Sequence, residues 1–178
     1  MLTIIVALLV SMMPPATSAA PGGKGSYDDL VALFQEFQSW HAAGAAAITT
    51  DVGPAATRQR REQLQAFQAR IAEMGVADWQ TPQKMDYLVV RAELDKEHFI
   101  QQVTRPWVRD PVYYVAQLQE LAFTPVPAKG EQLKALQRNL RAIPGFLEQA
   151  RVNLTEVAAD YADLAISLLE RSDGVEAG

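Results

Sequence analysis

From Ser26 onward, apolar side chains recur at three- and four-residue steps, and no stretch sustains a period-two alternation of apolar and polar residues. Three- and four-residue steps stack side chains on one face of an α-helix, whereas a half-buried strand needs alternation and β-branched residues. The spacing therefore predicts an all-α chain, a multi-helix array of about six to seven helices, over residues 26–178. Ser26-Tyr27-Asp28-Asp29 has the form of a capping box, and Leu30, Leu33, Phe34, Phe37 and Trp40 follow on one face. Gly44 and the loop to Gly53 end that helix.

Pro54 suits the first turn of a second helix, where a missing N–H costs nothing. Leu64, Phe67, Ile71 and Met74 form its apolar face and Gly75 closes it. Arg58, Arg60, Arg61 and Glu62 fall on the other side and read as a solvated face rather than a dock for an acidic partner. Thr81-Pro82 opens a third helix with Met85, Leu88, Val89, Ala92 and Phe99 as its apolar set, ending near Val103 before Arg105-Pro106. A fourth helix is expected from Pro111 to Phe123, with Pro125 and Pro127 stiffening the connector that follows. Leu133, Leu136, Leu140 and Ile143 mark a fifth, which Pro144 either kinks or breaks before Phe146, Leu147, Ala150 and Leu154 resume the period. From Thr155 a last run places Val157, Tyr161, Leu164, Leu168 and Leu169 in register.

Composition narrows the function classes. With 178 residues, 49% hydrophobic and 21% charged, the chain can bury a substantial core. A formal net charge of −5 argues against general affinity for nucleic acid or anionic membranes, which needs concentrated Lys and Arg. The absence of cysteine excludes disulfides, thiolate zinc sites, thiol nucleophiles and a lipidated cysteine.

The apolar run Leu2–Met13 is shorter than the roughly 20 residues of a membrane-spanning helix. Pro14-Pro15 and a tract of small residues follow it, the layout of a signal peptide over residues 1–20, with 21–25 as a flexible leader. A secreted or periplasmic protein with no stable membrane span after cleavage is expected. No Lys or Arg precedes the run, and a mispredicted start or a buried N-terminal helix are the other readings.

Chemistry-bearing motifs are few. His41 and His98 are the only histidines, on different helices, and the paired histidines of a zinc-peptidase helix are absent. Glu93, Asp95, Glu97 and His98 cluster on the third helix, but with Lys96 among them they read as a wet surface. Neither a Gly-x-Ser-x-Gly turn nor a phosphate-binding loop occurs. No catalytic residue and no metal ligand is therefore assigned to this chain. Between Arg105 and Tyr114, ten positions hold two arginines, three aromatic rings and two prolines. Arg105, Trp107, Arg109, Tyr113 and Tyr114 are the candidates for contact with a substrate or a neighbouring domain, since Arg and aromatic groups bind planar or anionic ligands. The same residues also serve to pin an irregular connection between helices.

This segment also carries a family resemblance. Met85-Asp86-Tyr87-Leu88, Arg91-Ala92-Glu93-Leu94-Asp95, Arg105-Pro106-Trp107 and Asp110-Pro111-x-Tyr113-Tyr114 resemble, in order and spacing, the bacterial family called domain of unknown function 885. Ala142-Ile143-Pro144-x-Phe146-Leu147-x-x-Ala150-Arg151-x-Asn153-Leu154 resembles the same N-terminal half, so the likeness covers Tyr27 to Leu169. It implies a secreted helical relative of zinc peptidases, with a His-Glu-x-x-Pro-Gly-His-like motif in a later helix. No such motif lies in this chain, so no catalytic or zinc-binding residue carries over. The resemblance implies the N-terminal helical portion of a metal-dependent peptidase or hydrolase, inactive alone. Its partners would be the missing C-terminal half, which would supply zinc, and a peptide-like substrate. The alternative is a self-standing, non-catalytic periplasmic helical binding module.

Overall fold

Ser26 starts the first helix by a reciprocal cap. Its Oγ accepts from the Asp29 N–H at 3.2 Å, and the Asp29 carboxylate accepts from the Ser26 N–H at 3.0 Å. Two otherwise orphaned donors are satisfied at once. The computed structural model describes residues 25–45 and 47–171, so the expected signal peptide and all of the leader except Gly25 lie outside the described residues. From this cap run α1 (Tyr27–Ala43), α2 (Pro54–Ala72) and α3 (Thr81–Phe99). A π-helical segment (Ile100–Thr104) extends α3, and α4 (Pro106–Arg109), α5 (Val112–Ala122), α6 (Gly130–Asn153) and α7 (Ala159–Glu170) follow. The molecule is all-helical, with no strand among the described residues.

Two apolar clusters hold these helices. The first joins α1, α2 and α3 through Leu30, Leu33, Phe37, Leu64, Ile71, Val90 and Leu94, with Phe34, Trp40, Phe67 and Met74 packed against it. Burying one such large aliphatic side chain contributes about 1.5–3 kcal/mol. Polar ties fix the register: the Tyr27 hydroxyl donates to Asp86 at 2.6 Å, and the Trp79 indole donates to the Gly25 carbonyl at 3.0 Å. The second cluster gathers Ile48, Val52, Tyr114, Phe146 and Ala150. Its first two members belong to the loop between α1 and α2, so that loop is shared with the second half. Gln149 Oε1 accepts from the Val52 N–H at 3.0 Å, and buried Asn153 donates to the Val52 carbonyl at 2.9 Å.

The turn between the halves is built from unusual backbone. In the π-helical segment the Arg105 N–H reaches back five residues to the Ile100 carbonyl at 2.9 Å. Arg105 then adopts a left-handed conformation, φ 41° and ψ 60°, which stops the helix before Pro106 begins α4. Such a conformation is costly for a residue with a Cβ, and the surrounding contacts must hold it. At Pro144 α6 runs on unbroken. The ring sits on the exposed side of the helix, where the carbonyl that loses its helical donor can be hydrated.

The apolar set of α3 differs from expectation. Met85 (57% exposed), Leu88, Val89 (58%), Ala92 and Phe99 face outward, and Val103 continues their row. Facing inward instead are Tyr87, Val90, Leu94, Glu97 and Gln101, also at three- and four-residue steps. The helix is apolar on two sides, and periodicity does not say which side meets α1 and α2. Tyr161, Leu164 and Leu169 of α7 are likewise half exposed.

Candidate functional site

A cleft of about 330 Å³ opens where α1, α2 and the end of α3 meet the segment from Pro106 to Tyr113. Val52, Ile100, Pro106, Trp107 and Tyr113 give it apolar and aromatic walls, and His41, Arg60, Glu97 and Gln101 supply polar groups. Mostly apolar concave sites with a few convergent polar groups are the usual form of a small-molecule site.

Arg60 reaches the cleft from α2. Its guanidinium carbon lies 4.0 Å from the centroid of the Trp40 ring, a cation–π contact, and Nη1 donates to the Trp40 carbonyl at 3.4 Å. The absence of a side chain at Gly44 makes room for it, since a Cβ there would stand 1.8 Å from Nη1. Burial pushes the guanidinium below the usual arginine range, with the charge of Glu97 and the phenolic oxygen of Tyr113 opposing that shift. Among the described residues Arg60 makes no ion pair.

Glu97 stands on the inward row of α3, one turn past Leu94, and is only 7% exposed. A carboxylate taken out of water needs hydrogen-bond donors in return. Gln101 supplies one at 2.9 Å, and His41 Nδ1 approaches the other oxygen at 3.4 Å. Gln101 is 5% exposed, and its Oε1 has no partner among the described residues. A buried amide oxygen without a donor is uncommon in folded proteins and marks a place where a donor fits. Tyr113 lies beside them. Burial pushes its hydroxyl up to about 12, neighbouring Tyr114 adding to the shift and a hydrogen bond with Gln117 opposing it.

The candidates from the Arg105–Tyr114 segment divide in two. Trp107 and Tyr113 line the cleft. Tyr114 lies beneath it in the second core, its hydroxyl donating to the Trp107 carbonyl at 2.8 Å and accepting from Asn153 at 3.2 Å. Arg105 and Arg109 turn away from the cleft to the Glu156 carboxylate, with Arg109 Nε at 3.1 Å, and both hold that carboxyl below its usual range. Arg109 Nη1 also donates to the Val103 carbonyl at 2.9 Å, so the pair ties the irregular turn to the start of α7. Arg109 and Glu156 border a separate shallow groove with Val103, Thr104 and Tyr161.

Arg60, Glu97 and Gln101 were not among the candidates, and the first two read as solvated from sequence. The available signal was the inward row itself. Tyr87, Val90 and Leu94 are followed in step by Glu97 and Gln101, so two polar residues occupy core positions. Among the described residues, no three His, Cys, Asp or Glu side chains converge as a metal ion requires, and Glu97 with His41 is only a pair. None of the described helices is long and apolar enough to cross a membrane. Comparison with protein-family models, curated proteins and solved structures finds no match to the chain.

Proposed function

We propose that these helices form a binding unit that holds a small amphipathic ligand in the cleft between its two halves and performs no chemistry of its own. One observation carries this reading. A partly enclosed, largely apolar cleft holds a buried carboxylate and, among the described residues, an arginine without an ion pair and a buried amide oxygen without a donor. Each of these groups is incompletely satisfied within the protein, and a ligand with complementary groups would satisfy them. Thermal melts of the full chain against a panel of small amines, acids, zwitterions and neutral amphiphiles test it, because a ligand of the native state raises the melting temperature. The shift should disappear in Ala45→Trp, which places an indole at the cleft rim without touching either core. A panel that shifts nothing, or shifts the blocked variant equally, contradicts the reading.

A second reading is favoured by a different observation. Met85, Leu88, Val89 and Phe99 on the outward side of α3 and Val103 in the π-helical segment are half exposed, as are Tyr161, Leu164 and Leu169 on α7. Several large apolar side chains exposed on one side of a helix mark surfaces that pack against something. They suit the N-terminal helical portion of a secreted metal-dependent peptidase or hydrolase, in which further helices cover these faces and carry the zinc motif. The cleft would then form one wall of a site for a peptide-like substrate. A monomeric chain that melts cooperatively and binds no hydrophobic dye would count against it.

A further inference from the structure

We infer that the cleft selects a small zwitterion, a molecule bearing one ammonium and one carboxylate on an apolar or aromatic body. This rests on the binding reading above and deepens it. Arg60 and Glu97 carry opposite charges into the same cleft without pairing with each other. A ligand with a single negative charge would leave the Glu97 carboxylate buried beside it, and one with a single positive charge would be opposed by Arg60. A zwitterion meets both groups with the favourable sign.

The hydrogen-bonding inventory agrees. An arginine offers five N–H donors in a planar fork that matches a carboxylate, and Arg60 commits one of them, to the Trp40 carbonyl. An ammonium brings three donors. Glu97 has acceptor capacity beyond its bond from Gln101 and the approach of His41 Nδ1 to its other oxygen, and Gln101 Oε1 is an acceptor with no partner among the described residues. Trp107 and Ile100 furnish the surface against which an apolar body packs. The volume, about 330 Å³, lies at the low end of the roughly 300–1,000 Å³ usual for ligand sites, which favours a molecule the size of one amino acid.

Calorimetric titration of the full chain with phenylalanine, phenethylamine and 3-phenylpropanoate separates the contributions, since the three share a ring and differ in charge. Phenylalanine is expected to bind at least about tenfold more tightly than either singly charged analogue. Arg60→Gln should erase its advantage over phenethylamine, and Glu97→Gln its advantage over 3-phenylpropanoate. The inference is overturned if an analogue binds the unaltered protein as tightly as phenylalanine, or if the preferences survive in both variants. Should Glu97→Gln fail to melt cooperatively, the Arg60→Gln comparison decides alone, because Arg60 lies outside both apolar cores. If none of the three binds while other panel compounds still raise the melting temperature through the cleft, the zwitterion is wrong and the binding reading stands. If nothing in the panel binds, both fall.

Discussion

Gln101 donates its side-chain N–H to the Glu97 carboxylate across 2.9 Å, one helical turn further on, and both residues are more than nine-tenths buried. The pair continues a core-facing row into polar chemistry at the point where α3 loosens into a π-helical turn. Buried polar groups in that position constrain one another. Changing either leaves a polar group of the other buried without its partner.

Gln101→Glu should therefore make stability depend on pH. Two carboxyls one turn apart in a buried site cannot both ionise freely, so the folded pair holds a proton above the usual carboxylate range. A folded-state value raised above the unfolded one, about 4.3 for Glu, leaves stability intact below that pH and removes it as pH rises through the raised value. The variant should match the parent in melts near pH 4 and fall below it at pH 7. Equal melting temperatures at both pH values would contradict the packing of this pair.

Gly44→Ala should move Arg60 without unfolding the chain. The Gly44 backbone, φ −104° and ψ 8°, is open to any residue, so stability should change by no more than about 1 kcal/mol. The new methyl would occupy the space of the Arg60 guanidinium. Affinity for any ligand that uses Arg60 should drop about tenfold, equivalent to about 1.4 kcal/mol, while the melting temperature stays close to the parent value. Titration beside a thermal melt reads both.

Glu156 gives an acid-side test of the turn. Hydrogen bonds from Arg105 and then Arg109 hold its carboxyl below the usual range, so its contribution is present above the unfolded value near 4.3 and lost as pH falls through the lowered folded value. Glu156→Gln should melt below the parent at pH 7 and converge with it in strong acid. Screening of this exposed cluster by salt should shrink the difference at pH 7 as well.

Tyr113 gives the alkaline counterpart. Its hydroxyl, pushed up to about 12 by burial, keeps its proton in the folded state where an unfolded tyrosine near 10 has lost it. Stability from this group is intact below pH 10 and declines as pH rises toward 12. Tyr113→Phe should flatten that decline, and the part of the tyrosinate absorbance that the parent has and the variant lacks should rise late and together with unfolding.

Much of the fold was legible because its signals are local. The Ser26 cap, Pro54 at a helix start and the apolar row from Leu30 to Trp40 all follow from contacts within one or two turns. The orientation of α3 was not legible, since Met85, Val89 and Phe99 form as good an apolar row as Val90 and Leu94, and only the position of α1 and α2 chooses between them. The site was half legible. Trp107 and Tyr113 stood out by composition, whereas Arg60 enters through a space left by Gly44 on another helix, a long-range relationship that periodicity does not encode. Arg105 and Arg109 looked available for a ligand until the fold supplied Glu156 some fifty residues later.

The central claim is that the cleft beside Trp107 is a ligand site, and the three indoles of the chain provide a direct reading of it. Trp107 lines the cleft, Trp40 lies under Arg60, and Trp79 donates to Gly25 at the far end of the first core. In a nitrogen–proton correlation spectrum of the full chain, a panel compound that raises the melting temperature should shift the Trp107 indole signal in a saturable way and leave that of Trp79 in place. A saturable shift at Trp79 with none at Trp107, or no shift at any indole, would contradict the account.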